Sequence, residues 1–101
     1  MIDPASVRLR FDGELIYWRG PSPYHYVAVP PDGAELLRMV APVATYGWGV
    51  IPVTVTIGHT TFATSLFPKD GGYLVPVKDA VRRAEHIELG DEVEIGLTIR
   101  T

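Results

Sequence analysis

Alternation of apolar and polar residues is the clearest pattern in this chain. Residues 53–57 alternate valine or isoleucine with threonine, and residues 93–99 alternate large apolar residues with glutamate, glycine or threonine. A period of two is typical of strands that bury one face. Residues 7–17 have the same period, with Gly13 expected to introduce a bend and Tyr17 to keep the parity of the buried positions. The pattern predicts a mainly β protein.

Turn residues divide the rest of the chain into further strands. Gly58-His59 places glycine first, as a type II′ hairpin requires. Proline lacks the donor that a sheet needs, so Pro30-Pro31 is expected to end one strand, and a turn is expected over residues 68–72. The predicted strands cover residues 7–17, 24–29, 50–57, 60–67, 73–77 and 92–99.

A first short helix is predicted after Pro31. Asp32 and Glu35 have the spacing of a capping box, in which Asp32 would cap the helix. Leucines and a valine follow at helical spacing, and Pro42 is expected to end the helix soon afterwards.

A second short helix is predicted from residue 77 onwards. Asp79 and Arg83 have the i,i+4 spacing of an ion pair on its outer face. The expected buried stripe consists of Val77, Ala80, Val81 and Ala84.

The two halves of the chain repeat one order of elements. Residues 26–40 and 73–87 each contain a tyrosine, a short strand with valine and proline, and a helix, and a long alternating strand follows each. Neither half could bury both its helix and its sheet alone. The order predicts one domain over residues 1–101, a pseudo-twofold β-barrel of six to seven strands with two short helices.

Five short motifs lie in the second half of the chain: Gly58, Ser65-Leu66-Phe67-Pro68, Gly71-Gly72, Arg82-Arg83-Ala84 and Gly90-Asp91. Their order resembles DUF1905, a bacterial and archaeal family of uncharacterised domains. The resemblance covers nearly the whole chain and is looser before Tyr24. It implies a double-split β-barrel, the architecture of the AbrB and MazE type of transcription factor, with both halves held in one chain. It implies no activity.

Composition makes several classes of function unlikely. The chain of 101 residues has no cysteine, which removes disulfides and thiolate chemistry, and its net charge of −3 disfavours non-specific nucleic-acid binding. Its start, MIDPAS, lacks the pattern of an export signal, and the longest apolar stretch is far shorter than the roughly 20 residues that cross a bilayer. The expectation is a cytoplasmic protein without a membrane segment.

Aromatic residues are concentrated in the first half. A ligand-lining cluster with Arg19 as its polar partner is one interpretation, because Tyr46 and Trp48 lie in a glycine-rich loop. The alternative, favoured by the small size of the core, is that they plug the ends of the barrel. The six aromatics concerned are Tyr17, Trp18, Tyr24, Tyr26, Tyr46 and Trp48.

Basic residues cluster on the second helix. Lys78 and Arg82 share a helical face, beside Arg83, and could bind a phosphate. The alternative is an ordinary solvated face that Asp79 and Glu85 neutralise.

No combination of residues in the sequence specifies a reaction. The three histidines lack metal-ligand spacing, and no nucleophile-elbow motif surrounds Ser65. We therefore expect a non-enzymatic binding or interaction module, without cofactor or metal, that takes a small molecule in a cleft near Trp48 and the second helix. A nucleic-acid-binding regulatory domain is the alternative, and the chain is expected to be a monomer or a homodimer. The expected ligand-binding residues are Tyr46, Trp48, Ser65, Lys78 and Arg82.

Overall fold

The computed structural model describes residues 7–19, 24–44 and 50–100. Two helices lie in these ranges, α1 (Pro31–Ala44) and α2 (Asp79–Glu85). The seven strands in the same ranges are β1 (Arg8–Glu14), β2 (Ile16–Trp18), β3 (Tyr24–Ala28), β4 (Ile51–Ile57), β5 (Thr60–Lys69), β6 (Gly72–Pro76) and β7 (Glu92–Ile99). The predicted mainly β class with two helices is confirmed.

All seven strands belong to one antiparallel sheet in the order β1-β7-β4-β5-β6-β3-β2. The two strands at the ends of this order are consecutive in the chain, because only Leu15 separates β1 from β2. The Leu15 amide donates to the Asp91 carbonyl at 2.9 Å, and the Leu15 carbonyl accepts from the Gly90 amide at 2.9 Å. The sheet therefore curls into a half-barrel. Its kinship with the double-split barrels of the AbrB type stays a prediction.

The β4–β5 hairpin has the predicted turn. Gly58 has a φ of 58°, and His59 is not among the residues with positive φ, as a type II′ turn requires. The next turn is shorter than predicted, because β5 continues through Lys69 and only Asp70 and Gly71 connect it to β6. These two residues have φ values of 51° and 80°, the left-handed pair of a type I′ turn.

The first helix begins earlier than the capping box predicts. Pro31 is the first residue of α1, where its missing N–H costs nothing, and the Ala34 amide donates to the Pro30 carbonyl at 2.9 Å. Asp32 therefore lies inside the first turn, and its predicted role as the cap is wrong. The helix ends at Ala44, soon after Pro42 as expected.

The second helix buries less of its predicted stripe than the sequence indicates. Val77 and Val81 are buried, but Ala80 and Ala84 are exposed. The predicted stripe is thus wrong at both alanines. A methyl side chain buries little area, so its burial contributes too little free energy to orient a helix of seven residues.

Apolar side chains from the inner face of the sheet and from α1 form the core. The alternation predicted for β7 is confirmed, because Val93, Ile95, Leu97 and Ile99 are all buried. The first strand differs from its prediction. The predicted strand is interrupted at Leu15, which is fully buried, and Tyr17 on the following strand is 41% exposed. Tyr17 nevertheless keeps the predicted parity, because it is opposite His25, which has the parity of the buried Val27 on β3. Its exposure follows from its place on β2, the last strand of the sheet order.

Candidate functional site

Four aromatic side chains lie together on the outer face of the sheet, the face turned away from the core. Residues paired across neighbouring strands project to the same side. Trp18 is opposite Tyr24, and Phe67 is opposite Leu74. Tyr26 lies two residues from Tyr24 on β3, so it has the same parity. We call this surface the aromatic face: Trp18, Tyr24, Tyr26, Phe67 and Leu74.

Tyr24 is the centre of the aromatic face. The centroid of its ring lies 5.5 Å from that of Trp18, in a near-perpendicular arrangement of 76°. The Tyr26 ring lies 5.5 Å away and the Phe67 ring 6.1 Å away, both tilted. These separations fall in the range in which aromatic pairs attract each other, at about 0.5–1.5 kcal/mol per pair. The rings therefore hold one another in place on a surface that faces solvent.

The aromatic face encloses a hollow above Leu74. Leu74 is 7% exposed, although it lies outside the apolar cluster that forms the core. Phe67 next to it is 42% exposed, an unusual fraction for a phenylalanine. The cavity has a volume of about 420 Å³ and is lined by Trp18, Tyr24, Phe67, Pro68, Lys69 and Leu74.

Among the described residues that line this cavity, Lys69 and Tyr24 supply the polar chemistry. The Lys69 ammonium lies 5.0 Å from the centroid of the Trp18 ring, a cation–π contact. Burial, and then the neighbouring Tyr26, raise the pKa of the Tyr24 phenol above its usual value, so Tyr24 keeps its proton at neutral pH. The described residues that line the cavity include no carboxylate. The cavity thus offers apolar rings, a hydroxyl donor and a positive charge.

The tight β5–β6 turn positions Lys69. In the register that this turn sets, Lys69 is opposite Gly72, which has no side chain to occupy the same face. The Arg38 guanidinium of α1 donates to the carbonyl of Gly71 and ties the turn to the helix. Lys69 is consequently free to lie over the Trp18 ring.

The residues expected to bind the ligand occupy different places. Tyr46 and Trp48 lie outside the described residues. Ser65 is half-buried on β5 and opposite Pro52, with the parity of Phe67. Lys78 is exposed, and its ammonium lies 3.4 Å from the carbonyl oxygen of Ala63. Ser65 and Lys78 are thus both near β5, while a role for either in ligand binding stays a prediction.

Arg82 is engaged within its own helix. Its guanidinium donates to the Asp79 carboxylate at 2.7 Å, an i,i+3 pair, so the ion pair predicted between Asp79 and Arg83 is wrong. This hydrogen bond, together with the charge of Arg82, lowers the pKa of Asp79 below its ordinary value. A phosphate-binding role for Arg82 stays a prediction, as does the pairing of Arg19 with the aromatics.

The sequence pointed to aromatic residues but missed the part of the site that β5 and β6 supply. Phe67 and Lys69 carried no local signal, because their meeting with Trp18 and Tyr24 depends on strand pairing. One signal was present: residues 73–75 are consecutive apolar residues, and such a run predicts a strand that is covered on both faces. Leu74 is the member of that run on the outer face.

Two further searches concern metal ligands and membrane-spanning helices in the described part of the chain. There, the histidine and carboxylate side chains form no group of three or more that could hold a metal ion. Neither helix in the described ranges has the length and apolarity needed to cross a membrane.

The fold and this surface together define a class of protein: a small, mainly β domain with two helices and an exposed aromatic cluster. Residues 11–97 match the family described as a domain of unknown function, DUF1905. The chain belongs to that family, as the motifs in its second half indicated. A search of the curated proteins found no match to it. The family description names no activity.

Proposed function

We propose that this protein is a non-enzymatic, cytoplasmic binding module, and that the aromatic face takes a small planar aromatic molecule with an acidic group. The observation that carries this proposal is the ring cluster around Tyr24, beside the Lys69 ammonium. A ligand ring would stack on Trp18 or Phe67. Its acidic group would pair with Lys69.

The dimensions of the cavity suit a ligand of this size. Small-molecule sites typically enclose about 300–1,000 Å³, are mostly apolar and contain a few placed polar groups. The cavity above Leu74 has about 420 Å³, with Lys69 and the Tyr24 phenol as polar groups. The aromatic pairs are already in contact, so binding a ring requires little ordering of the protein.

Lys69 supplies the preference for an acid. A cation–π contact at an exposed position contributes only about 0.5–1 kcal/mol. The ammonium can therefore leave the Trp18 ring for a carboxylate at little cost. Because the described lining includes no carboxylate, a cationic ligand would meet Lys69 without compensation.

Isothermal titration calorimetry with two matched probes tests this proposal. The probes are 2-naphthoate and its neutral counterpart, 2-naphthalenemethanol. We expect the wild-type protein to bind 2-naphthoate more tightly than the alcohol. Lys69→Gln should lower the affinity for 2-naphthoate by about fivefold and leave the affinity for the alcohol unchanged. Phe67→Ala should lower the affinity for both probes by about fivefold, because the contact between the rings is lost.

Met39→Ala is the control for non-specific hydrophobic binding. Met39 is 63% exposed on α1 and lies outside the aromatic face, so its removal should change neither affinity. Equal loss of affinity in Met39→Ala and Phe67→Ala, or equal affinity of the wild type for both probes, would contradict the proposal.

Nucleic-acid binding is the second candidate function. The observation in its favour is that exposed aromatics beside a lysine are the parts from which single-strand stacking platforms are built. The net charge of −3 counts against it. If this function is the true one, a single-stranded oligothymidylate should outcompete 2-naphthoate, with an affinity that falls steeply as salt is added.

A further inference from the structure

A second, chemically different surface lies on the outer face of β1, β7, β4 and β5. Across these strands Arg8, Thr98, Thr54 and Ala63 are aligned in one row, and Arg10, Gly96, Thr56 and Thr61 in the next. The second row ends in a hydrogen bond of 3.0 Å between the hydroxyls of Thr56 and Thr61. We call this surface the hydroxyl platform: Thr54, Thr56, Thr61, Gly96 and Thr98, with Arg8 and Arg10 along its edge.

Gly96 makes a notch in the platform. A Cβ atom built at Gly96 would meet no atom within 4 Å, so the space above its backbone is open. A cavity of about 380 Å³ covers the notch. Its described lining includes two guanidinium groups, of Arg8 and Arg10, and three threonine hydroxyls, but no carboxylate. In a chain with a net charge of −3, such a lining is a concentration of donors and positive charge.

The two arginines are available to a ligand. Arg10 and Glu94 approach to only 4.0 Å, and their side chains are 78% and 68% exposed. An exposed pair at this distance contributes little. A phosphate group would offer the planar Arg10 guanidinium a two-point partner, which an ion pair at 4.0 Å does not.

Acidic residues limit the shape of the ligand. The row beyond Gly96 pairs Asp12 with Glu94, so carboxylates follow the notch by about 7 Å, two residues along the strand. A polyanion running along the strands would meet these carboxylates. A compact anion with a single phosphate group would not.

We propose that the hydroxyl platform binds the phosphate group of a small phosphomonoester. The guanidinium groups of Arg8 and Arg10 hold the charge. The hydroxyls of Thr54, Thr56 and Thr98 donate to the remaining oxygens, and the Gly96 notch admits the phosphate close to the backbone. This site is separate from the aromatic face, because Thr61 and Phe67 lie six residues apart on β5, roughly 20 Å along an extended strand.

An NMR titration of the ¹⁵N-labelled protein with glycerol 2-phosphate tests this site, with sodium chloride at matched ionic strength as the reference. We expect saturable shifts of the Thr54, Gly96 and Thr98 amides with the phosphate and none with chloride. Equal shifts with chloride would overturn the proposal, because they would report only general screening of charge.

Three variants give the test its specificity. Arg10→Gln should lower the affinity for glycerol 2-phosphate by about tenfold or more, since it removes a charged hydrogen-bond donor. Gly96→Val should abolish binding by filling the notch, and the fold should accept it because a Cβ atom at this position meets open space and valine suits a strand. Arg83→Gln, at an exposed position on α2, is the matched loss of charge and should leave the affinity unchanged.

Two outcomes would overturn the proposal. One is an Arg83→Gln protein that loses as much affinity as Arg10→Gln, which would make the effect one of net charge. The other is an oligothymidylate that binds tightly through Gly96 and Arg10 with a steep dependence on salt, which would assign the platform to a polyanion instead.

Discussion

Two glycines in neighbouring strands have opposite surroundings. Gly13 of β1 faces the core side of β3, where a Cβ atom would lie 2.5 Å from the Val27 Cγ1 atom. Val27 is fully buried and cannot move away cheaply. Gly96 of β7 faces open space. The first glycine is therefore required by packing, and the second leaves room that a ligand could use.

Substitution by alanine should separate these two roles. We expect Gly13→Ala to lower the free energy of unfolding by about 1–3 kcal/mol through overpacking against Val27. Gly96→Ala should leave it unchanged or raise it by about 0.5 kcal/mol, because alanine has fewer unfolded conformations to lose. Urea denaturation of both variants measures the difference. A Gly13→Ala protein as stable as Gly96→Ala would show that the β1–β3 contact is looser than described.

Single residues were predicted well where one local rule governs them. Gly58 was placed correctly because a two-residue hairpin requires positive φ at that position. The interruption of the predicted strand 7–17 at Leu15 was missed, because Leu15 hydrogen-bonds to the distant Gly90 and Asp91. No pattern within residues 7–17 predicts that Leu15 would pair with Gly90 and Asp91.

The helix α2 shows how a short element is held in place by its ends. Seven residues are too few for a helix to persist alone in water. Its first turn contains the Asp79–Arg82 ion pair, and near its end the Glu85 carboxylate accepts a 2.5 Å hydrogen bond from the Thr60 hydroxyl, next to the β4–β5 turn. Val81 provides its buried contact. The helix therefore depends on polar contacts as well as on burial.

The Asp79–Arg82 pair should make the helix sensitive to acid. Because the folded protein lowers the pKa of Asp79, the pair stabilises the fold at neutral pH, and this contribution is lost as the pH falls below the ordinary aspartate value of about 3.9. We expect Asp79→Asn to lose less stability than the wild type between about pH 6 and about pH 3, measured by urea denaturation.

Arg82→Gln provides the matching control for this prediction. Removing the partner should reduce the acid sensitivity in the same way as removing Asp79 itself. A full wild-type response to acid in either variant would mean that the pair does not contribute to stability.

Elements as a whole were predictable when the pattern was strong. The long alternating strands β4 and β7 and the β4–β5 hairpin follow from period and turn chemistry. The start of α1 was missed because Pro31 suits the first helical position as well as it suits the end of a strand. The buried face of α2 was missed at Ala80 and Ala84, where the spacing is helical but little area is buried.

At the scale of the whole molecule, strand β5 joins two outer surfaces with different chemistry. Near its start, Thr61 belongs to the hydroxyl platform, and near its end Phe67 belongs to the aromatic face. Pairing with β4 and then with β6 places each part of β5 beside its neighbours. The sequence indicated an aromatic cluster in the first half, but only the order of the strands shows that Phe67 completes it.

An NMR titration with 2-naphthoate determines whether the aromatic face binds a ligand. The ¹⁵N-labelled protein reports each backbone amide separately, so the site is mapped along with the affinity. We expect saturable shifts at Trp18, Tyr24, Phe67, Lys69 and Leu74, with Gly96 and Thr98 unmoved. Saturable shifts confined to residues outside the aromatic face, or no shifts at any concentration that keeps the protein folded, would rule out the aromatic face as the ligand site.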